Sequence, residues 1–310
     1  MLFWKSCVHS RNLCRGSGTR KGTTGGRQMK RHRSAAILLA LALSVSACGQ
    51  KAEKRAETAE TTALAPFTAA DREMYSIAVD GIQAEEDGAY AVLVTLKNKT
   101  ADKTLKFSLE HASGDKLVLD SYLGAELAPG KIVKENIAFR KSPYYAFSDF
   151  SDIRLDFEVE DEADPLARRN QPDEVHIYPR GGNSGARFER QAKKHDKVIA
   201  EEETFKVVFL GGEFNDRKNY LMHFYLENNG EKEMRFAIDY PSLNGKMIAN
   251  VMTAYLEPGE RRFDTLRFSK SKIEENQITA VHDAEFSLKV TDGKNISSAL
   301  LFDDTIRLKP

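Results

Sequence analysis

Cys48 is the residue of this sequence whose type and neighbours indicate a specific chemistry. It follows Val45-Ser-Ala47, so an aliphatic residue and two small residues precede the cysteine. This order matches the lipobox of bacterial lipoproteins, where small residues let the extended chain enter the signal peptidase and the thiol accepts a diacylglyceryl group. We therefore expect cleavage between Ala47 and Cys48, and attachment of fatty acids such as palmitate through Cys48.

The residues before the lipobox have the layout of a signal peptide. A basic cluster at 30–33 precedes the apolar stretch Ala35–Val45, which is shorter than the roughly 20 helical residues that span a bilayer. We expect 29–47 to be the signal peptide and Met29 to be the translation start, which leaves 1–28 as a misassigned N-terminal extension. A start at Met1 is the alternative.

Sequence patterns that indicate catalysis or metal binding are missing from the part that follows. Its histidines are dispersed, without the spacing of a zinc site, and it contains no nucleophile motif of a known hydrolase class. Once Cys48 is acylated, no thiol is left for a disulfide or a cysteine nucleophile. We therefore predict no catalytic residues, no metal and no cofactor.

The charge balance argues against nucleic acid as a partner. The whole chain has a formal net charge of +0, with 46 basic and 46 acidic residues. Nine of the basic residues and none of the acidic ones precede Cys48, so the mature part carries a net charge of −9. A surface of that sign repels phosphate backbones.

An internal repeat organises the exported part. Leu127–Gly130 recurs as Leu256–Gly259, and Phe139–Ser142 recurs as Phe268–Ser271, both at an offset of 129 residues. In each copy, apolar and polar residues alternate along short segments that end in Asn-containing or Pro-Gly turns, a pattern typical of strands in a sandwich. The sequence therefore predicts an all-β fold with two tandem Ig-like β-sandwich domains.

The predicted boundaries follow from this repeat and from local composition. Residues 48–70 are rich in Ala, Glu, Lys and Thr and are expected to form a flexible tether. The sandwiches are expected at 71–180 and 204–310, joined by a flexible linker at 181–203. A short helix is predicted at Ser271–Glu274, because its Ser and Glu have the spacing of a capping box.

Four aromatic residues of the first copy form the candidate ligand surface: Tyr144, Tyr145, Phe147 and Phe150. The corresponding positions of the second copy hold Ile, Glu, Asn and Thr, so the fold itself does not require aromatic side chains there. If exposed, the four rings could stack on glycans or anchor a protein partner. If buried, they would close the end of one sandwich or contact the second. The sequence leaves both alternatives open.

The tandem pattern also resembles a known group of proteins. An Asn turn, a Pro-Gly turn, the stretch Phe268–Ser271 and the segment from Ile278 through Leu288 are similar to those of uncharacterised Firmicutes (Clostridia-like) lipoproteins with tandem Ig-like domains. The resemblance covers most of the mature chain. It implies a fold and a location, but no activity and no site residues.

Together these features predict a lipoprotein anchored to the extracytoplasmic face of the cell membrane. We expect a non-catalytic binding or scaffolding module with an unknown protein or cell-wall ligand as its partner. Two alternatives are an enzyme or accessory subunit that acts on envelope glycans, and an extracytoplasmic sensor that works with a membrane protein.

Overall fold

The computed structural model of the chain describes residues 64–85, 89–164, 172–182, 187–293 and 298–310. The predicted extension, the signal peptide, the lipidation site at Cys48 and most of the predicted tether lie outside the described residues. Within the described ranges, no helix is long and apolar enough to cross a membrane.

The described chain is nearly all β, which confirms the predicted fold class. The strands of the first half are β1 Phe67–Asp71, β2 Tyr75–Ala84, β3 Tyr90–Asn98, β4 Leu105–Gly114, β5 Leu117–Val118, β6 Ser121–Tyr122, β7 Gly124–Leu127, β8 Ile132–Phe139, β9 Ile153–Asp161 and β10 Asp173–Ile177. A single 3-10 turn, Phe147–Asp149, precedes β9.

The second half repeats this order of strands. They are β11 Lys197–Glu202, β12 Phe205–Phe214, β13 Tyr220–Asn228, β14 Met234–Leu243, β15 Lys246–Met247, β16 Met252–Leu256, β17 Arg261–Phe268, β18 Ala284–Asp292 and β19 Ala299–Leu308. The short helix α1, Lys270–Glu275, lies between β17 and β18.

Each half is a sandwich whose strands bury one face. Alternate residues of β2, beginning with Tyr75 and Ile77, are buried, as are Tyr220, Met222 and Phe224 of β13. Two sheets pack face to face in each half. In the first half their strand orders are β1-β2-β3-β8 and β7-β4-β9-β10, and in the second half they are β11-β12-β13-β17 and β16-β14-β18-β19. Two packed antiparallel sheets of this kind are the architecture of a β-sandwich.

The two halves also share their backbone irregularities. A bulge between Val79 and Gly81 of β2 recurs between Phe209 and Gly211 of β12, 130 residues later. Strands β1 and β11 likewise carry bulges at equivalent positions. Bulges depend on local backbone conformation and not on composition, so the repeat extends to the detail of strand pairing.

One sheet runs through both halves. Strand β5 pairs in parallel with β17 through Leu117 and Arg261, which joins the strands in the order β10-β9-β4-β5-β17-β13-β12-β11. Each half has its own core, but Val208, Leu210 and Tyr225 of the second half belong to the core of the first. Residues 57–310 form one compact unit, so the two predicted sandwiches are packed against each other.

Two boundaries differ from the expectation drawn from the sequence. Strand β1 begins at Phe67, inside the range predicted as tether, and β11 lies inside the predicted linker 181–203. Both strands lie at sheet edges, and each has a single buried residue, Ala70 in β1 and Ala200 in β11. The apolar alternation that reveals a strand is weak in such segments, because only part of one face is buried.

The helix after β17 begins earlier than predicted, and the expected capping box is wrong. The N-cap residue is Ser269, and its hydroxyl lies 3.0 Å from the hydroxyl of Ser271. Ser271 therefore lies within the first turn and does not cap it. Ile273 is the buried residue of the helix. Packing of its side chain in the core therefore fixes the position of the helix.

Candidate functional site

The junction between the halves is built around the tip of the β4–β5 hairpin. Asp115 and Lys116 have φ angles of 48° and 68° and form a two-residue turn of the kind that connects twisted strands. The backbone amide of Arg261 donates to the carbonyl of Lys116 at 2.9 Å. The Arg261 guanidinium donates to the carbonyl of Asp115 at 2.6 Å, so the tip is bound to β17 by backbone and side chain.

The carboxylate of Asp115 organises this tip from inside the protein. It accepts hydrogen bonds from the amide and hydroxyl of Ser151 at 3.0 and 2.6 Å, and from the amides of Asp152 and Phe188 at 3.1 and 2.8 Å. Burial alone would raise the pKa of Asp115, but these hydrogen bonds favour the ionised form and hold its pKa below 3.8.

Aromatic side chains pack beside the tip on one side of the junction. Tyr144 stacks on Phe263 of β17, with ring centroids 4.4 Å apart and an interplanar angle of 4°. Tyr145 lies 6.1 Å from Phe263, and Tyr225 lies 4.9 Å from it. Burial raises the pKa of Tyr145 to about 12, because the neutral phenol is favoured away from water.

The predicted ligand surface is therefore divided by the fold. Phe147 and Phe150 are buried, 5% and 0% exposed, and are not available to a ligand. Phe150 packs so closely on β4 that a Cβ at Gly114 would lie 2.5 Å from its ring. Tyr144 and Tyr145 are half-buried against the second half. Tyr144 and Tyr145 thus contact the second half, whereas Phe147 packs within the first half on Tyr90 and Phe139. Tyr144 keeps an open edge.

A cleft of about 570 Å³ lies beside that edge of Tyr144. Such a volume lies within the range of small-molecule sites. Phe188 and Leu210 contribute apolar surface to the cleft. Its charged lining consists of four basic side chains, Arg180, Arg187, Arg190 and Lys193, and three carboxylates, Asp149, Glu189 and Asp196, with His195 beside them. We call this the basic cleft.

The cations of the basic cleft are held to different degrees. Arg190 is fixed by an ion pair with Asp196 at 2.5 Å and by the ring of Tyr225, whose centroid is 4.6 Å away. The ammonium of Lys193 lies 5.8 Å from the centroid of Tyr144. Arg187 is exposed at the mouth. The segment 180–197 contains six Lys or Arg against two Asp or Glu, although the chain from Cys48 onward is acidic overall.

A charged network occupies the other side of the junction. His111 of β4 lies 2.7 Å from the carboxylate of Glu260 in the second half. Arg154 of β9 donates to Asp156 of its own half at 2.9 Å and to Glu257 of the second half at 2.8 Å. These contacts tie the sheet of the first half to the turn that precedes β17.

The pKa shifts in this network follow from burial and opposite charge. Burial would lower the pKa of His111, but the hydrogen bond to Glu260 and the neighbouring carboxylates outweigh burial and raise it. Burial raises the pKa of Asp156, and the pairing with Arg154 does not fully offset this rise. His111 is therefore charged over a wider pH range than a free histidine.

One group in this network has the chemistry of a metal site. Ligand atoms of His111, Glu257 and Glu260 all lie within 4.8 Å of one another, and imidazole with carboxylates suits zinc or similar ions. Each of these side chains already has a protein partner: Glu260 binds His111, and Glu257 binds Arg154. The group is thus satisfied as an ion-pair network, and a cation would have to displace Arg154 and the imidazole proton.

Sequence reasoning missed this network, because its members are distant along the chain. His111 and Glu260 are separated by 149 positions, and no linear motif joins them. A signal was nevertheless present in the repeat. The turn Glu257–Glu260 corresponds to Ala128–Lys131, so two acidic residues are specific to the second copy.

No protein-family model and no curated protein matches this chain. Among solved structures, it is similar to mutants of Bacillus subtilis oxalate decarboxylase. Two of these have 7% identity and TM-scores of 0.12 and 0.11, with 76% of this chain and 79% of each of those chains covered. Similarities this weak support no inference about fold or function.

Proposed function

We propose that this protein is an exported lipoprotein, anchored at the extracytoplasmic face of the cell membrane, that binds a ligand in the basic cleft without catalysing a reaction. The lipobox at Cys48 supports the location at the membrane. A diacylglyceryl group carries two acyl chains, and stable membrane anchoring requires two such signals. The observation that carries the binding function is the basic cleft beside Tyr144.

The lining of the cleft favours an anionic ligand with a ring. Arg187 and Lys193 can pair with carboxylate or phosphate groups, and the open edge of the Tyr144 ring offers an apolar contact to the ring of a sugar. Tyr144 is fixed by its contact with Phe263, so little side-chain entropy is lost on binding. An anionic cell-wall glycan has this combination of features.

Binding to purified Gram-positive cell walls tests the proposal. The lipoprotein in detergent should sediment with intact walls, and should sediment much less with walls stripped of their anionic polymers. Arg187→Glu should weaken retention about tenfold or more, since it replaces an attraction by a repulsion at the mouth. Lys194→Glu, an exposed neighbour that does not line the cleft, is the matched control. Equal loss in both variants, or equal retention by stripped walls, would contradict the proposal.

One observation favours a second candidate, an enzyme that acts on envelope glycans. Carboxylate oxygens of Glu257 and Glu260 approach within 4.8 Å, and both residues line an acidic cleft of about 470 Å³. Pairs of carboxylates at short distance cleave glycosidic bonds in many hydrolases. Release of soluble sugar from walls by the parent protein, lost in Glu260→Gln, would support this candidate. No release at any pH between 4 and 8 would exclude it.

A further inference from the structure

Three side chains at the junction have the types and the spacing of a metal site. Among the described residues, a nitrogen of His111 and carboxylate oxygens of Glu257 and Glu260 lie within 4.8 Å of one another. Zinc binds imidazole nitrogen and carboxylate oxygen at about 2.0–2.2 Å, which places the ligand atoms of a tetrahedral site roughly 3.4 Å apart. Side-chain movements of about 1.4 Å or less therefore bring the three groups into that geometry.

A tight turn places the two glutamates side by side. Glu257 and Glu260 are its first and last residues, and the amide of Glu260 donates to the carbonyl of Glu257 at 3.0 Å. Gly259 has a φ of 74°, as the third position of a type II turn requires. The amide of Glu257 donates to Oε2 of Glu260 at 2.8 Å. One oxygen of Glu260 is thus held by the turn, and the other is directed to His111.

His111 approaches this turn from the first half. It lies at a bulge of β4, where the pairing with β9 shifts between Leu109 and His111. Bulges change the direction of a side chain and are frequent beside functional sites. Nε2 of His111 lies 2.7 Å from Oε1 of Glu260. A metal ion between the two groups takes the place of the imidazole proton, so their present contact becomes a shared contact with the ion.

The third ligand can be released from its present partner at little cost. Glu257 accepts a hydrogen bond from Arg154 at 2.8 Å. Arg154 also pairs with Asp156 at 2.9 Å and with Glu174 at 3.2 Å, so it keeps two carboxylate partners when Glu257 turns to a metal ion. The side chain of Glu257 is 44% exposed, and its rotation therefore disturbs no core packing.

The charge balance of the network favours a divalent cation. Protonated His111 and Arg154 carry two positive charges, whereas Asp156, Glu257 and Glu260 carry three negative charges, which leaves a net charge of −1. A divalent ion bound to the neutral imidazole brings this net charge to zero. Three further carboxylates line the same acidic cleft: Glu110, Glu158 and Glu233. An excess of negative charge in a cleft raises the local concentration of cations.

The set of three ligands exists only where the two halves meet. The first copy has His111, but it has Ala128 and Lys131 at the positions of Glu257 and Glu260. The second copy has the two glutamates, but a tyrosine at the position of His111. Neither copy alone therefore contains the site, and the repeated fold does not require these residues.

We propose that His111, Glu257 and Glu260 bind one zinc ion across the junction. Imidazole combined with carboxylates favours zinc over calcium and magnesium, which prefer oxygen ligands alone. The acidic cleft of about 470 Å³ has room for a water molecule as the fourth ligand. The ion links β4 of the first half to the turn before β17, so it stabilises the junction. This inference does not depend on the ligand proposed for the basic cleft.

Calorimetric titration of zinc chloride into the full lipidated chain tests the site. The protein is purified in mild detergent without a histidine tag and freed of metal with EDTA, and acylated Cys48 offers no competing thiol. The parent chain should bind one zinc ion. His111→Gln, Glu257→Gln and Glu260→Gln should each weaken binding about tenfold or more, at least the effect of losing an outer-shell partner.

Glu110→Gln is the matched control, because Glu110 lines the same cleft but does not belong to the ligand group. It should change the affinity less than about threefold, since it alters only the field in the cleft. Thermal melting in EDTA confirms that the variants fold, and the partly exposed Glu257 keeps the test valid if Glu260→Gln does not.

Three results of the titration would overturn the proposal. The first is a parent chain that binds no zinc. The second is an equal loss of affinity in Glu110→Gln and Glu257→Gln, which would show that the cleft attracts cations without a built site. The third is displacement of zinc by about 1 mM calcium, which would indicate oxygen ligands alone.

Thermal melting with and without zinc tests whether the ion links the two halves. At a hundredfold excess over the Kd, zinc should raise the melting temperature of the parent by about 5 °C. The same zinc concentration should have a much smaller effect on Glu257→Gln. If zinc binds in the titration but leaves the parent melting temperature unchanged or lowers it, the ion is not held by the folded junction and the proposal is wrong.

Discussion

Replacing Asp115 by alanine should be among the most destabilising single changes at the junction. The substitution leaves three backbone amides and the Ser151 hydroxyl without their acceptor. A hydrogen bond to a charged group contributes about 1.5–3 kcal/mol, but bonds to one acceptor are not additive. Water can reach part of the vacated space, so we expect a loss of about 3–5 kcal/mol in the free energy of unfolding at pH 7.

The effect of this substitution should depend on pH in one direction. The folded-state pKa of Asp115 lies below the unfolded value of 3.8, so the ionised carboxylate stabilises the fold. This stabilisation is fully present above pH 3.8 and is lost as the pH falls through the folded-state pKa. The difference between the parent and Asp115→Ala should therefore shrink between pH 4 and the lowest pH at which the parent stays folded.

Urea unfolding followed by circular dichroism, in steps from pH 7 to pH 3, measures both quantities. Asp120→Ala is the matched control, because Asp120 is an exposed neighbour whose ion pair with Arg262 at 3.1 Å should contribute about 1 kcal/mol or less. A loss below about 1 kcal/mol in Asp115→Ala would refute the assignment of Asp115 as the centre of the tip, and so would a deficit that does not change at low pH.

Three further predictions concern the core, the charged network and the anchor. Gly114→Ala should lower the melting temperature, with a loss of about 1–3 kcal/mol, because the new Cβ meets the buried ring of Phe150. Protonated His111 stabilises the fold through Glu260, so parent stability should fall as the pH rises above 6.5 through the raised pKa. His111→Gln should reduce that fall in urea titrations and leave the part due to His176, whose pKa is raised against burial by its hydrogen bonds to Asp152 and Glu174. Cys48→Ala should move the protein from the membrane fraction to the soluble fraction on ultracentrifugation; retention would mean that the apolar stretch before it is the anchor.

The aromatic cluster shows how far divergence between repeats can be interpreted. Tyr144 and Phe150 differ from their counterparts in the second copy, and this difference distinguishes the two positions from the rest of the repeat. It could not distinguish a ligand surface from a contact with the other half. For Tyr144 the structure shows a contact with the other half, because its ring stacks on Phe263 across the junction.

The acidic residues of the second copy contain the same kind of information. Glu260 replaces a lysine of the first copy, but its role becomes clear only when His111 is found 2.7 Å away. Comparing the two copies position by position therefore identifies residues of the junction.

The sequence by itself determined the class of fold, most of the strands and the repeat, since alternation and turn residues act locally along the chain. The predicted export signal and the predicted lipobox at Cys48 also rest on linear patterns alone. Only the tertiary structure decided that β5 joins β17 in one sheet and that Arg154 meets Glu257. Contacts between residues more than 100 positions apart depend on how two sandwiches pack, and no local pattern specifies that packing.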